Sequence, residues 1–430
     1  MRSEKNPTQQ MKVLLISTSD RKGGAAIACL RLFNALKKNG TDVKMLVRDK
    51  YTNTEGVYSV NTNIFKKAIN KMAFLAERLH IFFATKFSRK NLFRVNTAKF
   101  GVMGLADHEL IDWADVINIH WTSQGMLSLS ALIKIIQKGK RIVFTMHDMH
   151  YFTGICHYAN SCEHFIKECG NCQYLGGGRK NDLSYRIFAI KNALPNRISL
   201  KYVGCSRWLA DVAKKSGMMQ QCEILSAPNP IDTDVFRPMD KEDAKKHFGI
   251  DPSKKVILCG ADNFSDERKG YRFLIEALHY INSNNNQYNN RITLLVFGKG
   301  NIKPFKELPY EVVQAGYIKT DADLATLYSA GDVYVSPSLE DNLPNTIMEA
   351  LACGTPCAAF AIGGIPEMVE DGVNGRLAKA QDHKELGESV IKILFAYDAI
   401  KMSQNARRKV ESEFSEPIIA MRYNMIYRDL

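Results

Sequence analysis

Lys12-Val13-Leu14-Leu15-Ile16-Ser17, followed six residues later by Gly23-Gly24-Ala25-Ala26, decides how the rest of the chain reads. A short apolar run, a glycine loop and an amphipathic stretch ending near Gly40 spell strand, loop, helix. Residues 43–47 read as the next strand, so the chain opens as a parallel α/β unit. Strand candidates 116–119, 141–145 and 201–203 continue the alternation. Such a pattern predicts a doubly wound sheet.

At 430 residues the chain exceeds what one core usually serves, and two domains are expected. Ser226-Ala227-Pro228-Asn229-Pro230-Ile231-Asp232 is dense in turn-formers and Pro238 follows, which places a linker over 226–240. Beyond it the pattern restarts with strands at 256–259, 292–297, 333–335 and 356–359, helices at 272–280 and 323–328, and an Asn-rich loop at 282–290. The organisation expected is an N-terminal lobe over 11–225, a C-terminal lobe over 241–410 and a closing helical segment over 411–430.

The formal net charge of +13 is unevenly spread. Residues 61–100 hold nine cations against the single acid Glu77, a net +8, interleaved with Phe65, Ile69, Met72, Phe74, Leu75, Leu79, Ile81, Phe82 and Phe83. That composition fits a helix lying in an anionic membrane interface, and equally a basic helical insertion packed on its own lobe. No zinc-finger spacing or RNA-binding aromatic signature accompanies the charge, so no nucleic acid partner is expected. No stretch approaches the ~20 apolar residues of a membrane span. The polar residues 1–10 lack the layout of a secretory signal, Met11 offers an alternative start, and the expected location is cytoplasmic, peripheral on the inner face of the membrane.

In open α/β sheets ligands bind beyond the carboxyl ends of strands. Three places there carry suitable chemistry. After the strand at 256–259, Arg268 and Lys269 stand at a helix start, an arrangement suited to a diphosphate. After the strand at 333–335, Glu340, Asp341, Asn342 and Leu343 precede a helix holding Glu349, and carboxylates suit ribose and sugar hydroxyls. After the strand at 141–145 comes His147. Taken singly, a solvated basic pair and a structural histidine are the blander readings.

The run 332–378, from Asp-Val-Tyr-Val-Ser-Pro-Ser through Met-Glu-Ala-Leu-Ala-Cys-Gly-Thr-Pro to Gly-Gly-Ile-Pro-Glu-Met-Val, together with Ala-Pro-Asn-Pro-Ile-Asp-Thr-Asp-Val-Phe-Arg-Pro at 227–238, resembles family 4 glycosyltransferases. The resemblance covers about 11–50 and 110–430. His-Asp-Met, Cys-His and Cys-Gly-Asn-Cys segments near 147–172 make it most similar to exopolysaccharide enzymes of the colanic-acid type. It implies the GT-B fold, two Rossmann-like lobes facing a central cleft. It also implies retaining transfer of a hexose from a nucleotide-sugar donor to a saccharide acceptor, lipid-linked, in exopolysaccharide, capsule or lipopolysaccharide biosynthesis, with no metal for catalysis. By position, Lys269 matches the phosphate lysine, Glu349 the ribose carboxylate and His147 the histidine near the transferred sugar, and Gly24, in the glycine loop after the first strand, is a further candidate donor-binding residue. Asp341 stands where the family has glutamate, with Glu340 one residue earlier, and Asn342-Leu343-Pro344 replaces its glycine-aromatic-glycine. Ala261 replaces the phosphate arginine, which Arg268 would make good.

Cys156, Cys162, Cys169 and Cys172 form a cluster ending in Cys-x-x-Cys. In a reducing compartment this suits a structural zinc, with His157 and His164 as alternative ligands; free thiols or a redox pair are the other readings. The pairs Asp232/Asp234 and Asp321/Asp323 read as turn and helix caps rather than metal ligands. A dehydrogenase is disfavoured because Gly298-Lys299-Gly300 lacks the third glycine of a dinucleotide loop. A sugar-nucleotide epimerase and a catalytically inert scaffold at the membrane share the architecture, and turnover with an acceptor separates them from a transferase.

Overall fold

The computed structural model describes residues 10–195, 200–264 and 266–429, and the side chains of 261–263 are not among those described. The polar stretch 1–9, the side chain of Ala261 and Ser265 therefore lie outside the described residues. The chain divides into unit 1, Met1–Pro230 with Ile419–Leu430, and unit 2, Ile231–Ile418.

Unit 1 is built on seven strands: β1 Lys12–Ser19, β2 Asp42–Asp49, β3 Val57–Ser59, β4 Val116–Ile119, β5 Arg141–Met146, β6 Lys201–Gly204 and β7 Glu223–Ser226. Their order is β3-β2-β1-β4-β5-β6-β7, with every pairing parallel. Central strands such as Val13–Ile16 and Val116–Ile119 are buried on both faces, which is why they read as unbroken apolar runs. Helix Gly24–Lys38 follows β1 and buries Ala28, Cys29, Leu32, Phe33 and Leu36, residues spaced three and four apart along one face. The last helix, Glu416–Arg428, ends in this unit. Its Tyr427 hydroxyl accepts from Asn118 Nδ2 at 2.6 Å, and its Tyr423 hydroxyl lies 3.2 Å from Thr145 Oγ1.

Unit 2 repeats the plan with β8 Lys255–Asn263, β9 Ile292–Lys299, β10 Glu311–Gly316, β11 Val333–Ser336, β12 Cys357–Phe360 and β13 Gly375–Ala378, in the order β10-β9-β8-β11-β12-β13. All of these pairings are parallel too. Both orders reverse direction at one place, between β1 and β4 and between β8 and β11. Such a switch point, beyond the carboxyl ends of the strands, is where open α/β sheets bind their ligands. Both units thus have the α/β construction of the GT-B fold.

The Asn-rich segment expected as a loop is largely helical: Asn282–Asn284 complete helix Tyr271–Asn284, and Asn286–Arg291 form a 3₁₀ segment stabilised by Asn289 Nδ2 donating to Asn282 Oδ1 at 2.6 Å. Asp321 and Asp323 fall in the first turn of helix Asp321–Ala330, capped by Thr320. Asp232 Oδ1 accepts from the Asp234 and Val235 N–H groups, a local turn.

Candidate functional site

In unit 2 the two loops of the switch point meet. After β8 the chain makes a single 3₁₀ turn, Glu267–Lys269, whose cap Asp266 accepts from the Arg268 N–H at 3.1 Å. Gly270 then turns with φ 64°, and a Cβ built there would lie 1.9 Å from the Pro337 carbonyl oxygen, so only glycine permits the approach. The Leu339 N–H donates to the Arg268 carbonyl at 2.7 Å and completes the junction. Gly363, at φ 55°, meets the other side of this loop, where a Cβ would stand 1.8 Å from the Asp341 carbonyl. The acidic loop is thereby clamped from both sides.

This backbone brings Lys269 and Asp341, 72 residues apart, into an ion pair of 2.7 Å that is partly open to solvent. Arg268 is held by Asp266 through its Nε at 3.1 Å and its terminal nitrogen at 2.6 Å. Glu349 lies in helix Asn345–Ala352, is 5% exposed, and accepts from the Tyr328 hydroxyl at 2.9 Å. Asn342 and Leu343 are buried: Leu343 belongs to the unit 2 core, and the Asn342 carbonyl accepts from the Gly364 N–H at 2.7 Å. Leu343 therefore has a packing side chain, and what it could offer a donor is its backbone. Glu340 is partly buried on the same loop.

Unit 1 gathers a different set at its own switch point. Gly24 begins the helix after β1, preceded by Gly23 at φ 93°. Asp20 ties this loop to the loop after β2 by accepting from the Tyr51 and Thr52 N–H groups at 2.8 and 2.9 Å. His120, directly after β4, and His147, directly after β5, approach through Nδ1 and Nε2 at 3.0 Å. The other nitrogen of His147 lies 3.4 Å from the Cys205 thiol. Burial drives the His147 imidazole down to about 4 against the opposing pull of Asp148, and drives His120 well below its usual value with His147 adding to it. Both rings are neutral at pH 7, suited to hydrogen bonding rather than to carrying charge.

Behind them Asp148 accepts from His157 Nδ1 at 2.7 Å, Trp121 Nε1 at 2.9 Å and the His150 N–H at 2.9 Å. Burial works against the Asp148 carboxylate, yet His157 and these hydrogen bonds outweigh it and hold the carboxyl below its ordinary value. Lys191 pins the same segment by donating to the carbonyls of His150, Thr153 and Gly154 at 2.7, 3.1 and 2.9 Å, and its burial lowers it to about 7. His120, Trp121 and Lys191 were not singled out as site groups from sequence, and His157 only as an alternative metal ligand. The only available signal was at His120, which follows its strand as His147 does.

Because the unfolded His147 would titrate near 6.5 and the folded one near 4, the unfolded chain binds more protons between those values. Stability is then lost as pH falls through that window, by about 3 kcal/mol from this group when complete. Comparing urea unfolding at pH 7 and pH 5, the loss should be smaller in His147→Asn than in wild type. An equal loss would place the proton uptake on other groups.

The expected zinc ligands tell a different story. Cys156 and Cys169 are buried in the unit 1 core, with Cys162 and Cys172 packed against it, and burial pushes the Cys156 and Cys169 thiols up to about 12. Among the described residues no group of three His, Cys, Asp or Glu side chains is placed to hold a metal. His157 is committed to Asp148, and His164 Nδ1 donates to the Gly170 carbonyl at 2.8 Å. The charges of Cys162, Cys169 and Cys172 add to the rise at Cys156, so the four cysteines lie near one another in unit 1.

Residues 253–395, which contain both loops of the unit 2 site, match the family described as Glycosyl transferases group 1. The match lies wholly within unit 2. The N-acetyl-alpha-D-glucosaminyl L-malate synthase of Bacillus anthracis is 26% identical over 216 residues, 48% of this chain and 54% of that protein, so the chain spans about half the length of that relative. An uncharacterized glycosyltransferase of Methanocaldococcus jannaschii is 24% identical over 94% of each chain. Among solved structures, the Anabaena protein HepE in complex with UDP superposes with a TM-score of 0.62, 16% identity, and coverage of 98% of this chain and 100% of that one. These relatives support a glycosyltransferase and do not single out the colanic-acid type.

Proposed function

We propose that the chain is a retaining glycosyltransferase that moves a hexose from a nucleoside diphosphate donor onto a saccharide acceptor, lipid-linked, in exopolysaccharide, capsule or lipopolysaccharide assembly. The observation that carries this reading is the Lys269–Asp341 ion pair between the two loops of one switch point, with Glu349 on the helix that follows the second loop, inside the segment matched to group 1 glycosyltransferases. HepE has been solved with UDP and with UDP-glucose, which favours a nucleotide sugar as donor here.

In this reading Lys269, with Arg268 beside it, neutralises the charge that develops on the leaving diphosphate, the electrostatic effect that usually dominates such catalysis. Glu349 accepts hydrogen bonds from the ribose hydroxyls and Asp341 from a hydroxyl of the sugar. As the bond from the anomeric carbon to the phosphate oxygen breaks, the acceptor oxygen bonds that carbon on the same face. Its proton passes to the departing phosphate. No metal is needed for these steps, and neutral His147 serves the transferred sugar as a hydrogen-bond partner.

Incubating the full chain with UDP-, GDP-, ADP- and CMP-linked sugars and a mixed saccharide acceptor pool, with chelator present, tests this directly. One donor should release its nucleotide only with acceptor, giving a product whose anomeric proton coupling matches the donor's. Donor consumption without a glycoside product would indicate an epimerase or hydrolase, and an inverted coupling would remove the retaining mechanism.

A further inference from the structure

Helix Ile64–Ala84 is amphipathic in the reverse of the usual sense. It is 21 residues, about 31 Å long, begun by Asn63 accepting from the Lys66 N–H. The side chains it buries are Asn70, Glu77 and Ile81. Glu77 is fully buried and accepts from the Thr97 N–H at 2.9 Å, the Thr97 hydroxyl at 2.6 Å, the Lys99 N–H at 3.2 Å and the Phe100 N–H at 3.0 Å. Asn70 donates to Asn61 at 2.8 Å. The helix is therefore fastened to unit 1 largely by polar groups.

Seven of its large apolar side chains are exposed, while Ile81 is buried and Phe74 and Phe82 are half-buried. Phe65 is 77% exposed, Met72 65%, Leu79 55% and Phe83 62%, with Ile64, Ile69 and Leu75 exposed beside them. At 3.6 residues per turn these seven fall within an arc of about 140°, centred roughly opposite Asn70, Glu77 and Ile81. Phe87, 63% exposed, extends the stripe and meets Phe83 edge-on at 5.6 Å. A soluble surface rarely leaves so long a contiguous apolar strip uncovered. Along one border of the arc run Lys67, Lys71 and Arg78, and exposed Lys86 and Arg89 follow beyond the helix end.

We propose that this face docks the protein on an anionic lipid surface, the helix lying in the interface plane with the stripe in the acyl boundary and the flanking lysines among the headgroups. The charge decides among occupants. A second copy would bring two strips of net positive charge together, whereas anionic headgroups complement the cations while the acyl boundary covers the apolar arc. Among the described residues no helix is long and apolar enough to cross a membrane, so the contact proposed is with the surface. The inference goes beyond the transfer reaction and stands or falls without it.

Sedimentation of the full chain with vesicles of phosphatidylcholine alone, or with about 30 mol% phosphatidylglycerol, tests the proposal without any donor or acceptor. Wild type should bind the anionic vesicles and release as salt rises. The triple variant Phe65→Ser/Leu79→Ser/Phe83→Ser should bind at least about tenfold more weakly. Lys67→Gln/Lys71→Gln should lose about fivefold per cation removed. All five side chains are exposed, so unchanged thermal unfolding is expected and is checked first. In a Phe83→Trp variant the emission should shift to the blue on adding anionic vesicles, reporting burial of the stripe itself. Absence of binding to anionic vesicles overturns the proposal, as does undiminished binding by the triple variant. Self-association of wild type that the triple variant abolishes, without vesicle binding, would assign the face to a second copy instead.

Discussion

Lys269→Ala is expected to lower kcat about 10²- to 10³-fold while leaving the fold intact, the loss typical of removing one group aimed at developing transition-state charge. The alternative role open to Lys269 is purely structural, because it forms a 2.7 Å ion pair with Asp341. That pair is partly exposed, at 33% and 16% for the two side chains, and such pairs contribute only about 0–1 kcal/mol. The two roles separate in the data. A structural lysine would move the unfolding midpoint and spare turnover, whereas a phosphate ligand does the reverse. Arg268→Ala should cost less, because that guanidinium is engaged by Asp266 within its own turn.

The second large effect is expected at Glu349. This carboxylate is nearly buried and accepts from a buried Tyr328 hydroxyl, so Glu349→Ala strands that donor and should cost about 1–3 kcal/mol of stability as well as activity. Glu349→Gln separates the contributions. Its amide oxygen can still accept from Tyr328, so unfolding should resemble wild type, but one charge-assisted acceptor for the ribose becomes a neutral amide. The Gln variant should raise KM for the donor by about tenfold or more, and donor analogues lacking ribose hydroxyls should lose less affinity in it than in wild type. Wild-type kinetics in Glu349→Gln would make the residue a structural partner of Tyr328 alone.

The parts of the fold that sequence could reveal follow from where each strand sits. Strands at 12–17, 43–47, 116–119, 141–145, 201–203, 256–259, 292–297, 333–335 and 356–359 were all anticipated within a few residues, and every one lies in a sheet interior. Parallel interior strands are covered on both faces and read as continuous apolar runs. The four missed strands, Val57–Ser59, Glu223–Ser226, Glu311–Gly316 and Gly375–Ala378, are the four sheet edges. Each has one neighbour and a half-exposed pattern, so Tyr58, Glu223, Gln314 and Arg376 blur the apolar signal.

The candidate site divides in a similar way. Arg268, Lys269, Asp341 and Glu349 were legible because charged groups at strand ends are conspicuous. That Lys269 meets Asp341 was not, since it depends on two glycine clamps, at 270 and 363, and on a backbone bond between loops 71 residues apart. The His120–His147 contact was hidden for the same reason: each histidine follows its own strand, and only the β4–β5 pairing brings them within 3.0 Å. For the cysteines, spacing suggested a ligand set but could not show that Cys156 and Cys169 are buried in the same apolar cluster as Phe152, Phe165 and Tyr174.

The central claim is that unit 2 holds a nucleoside diphosphate at Lys269. Thermal unfolding of wild type and Lys269→Ala with UDP, GDP, ADP and CMP in turn measures it most directly, because a ligand at 100 times its dissociation constant stabilises by about 2.7 kcal/mol. The account predicts a raised midpoint with one diphosphate, lost or strongly reduced in the variant. Equal stabilisation of both proteins, or none by any nucleotide, would contradict it.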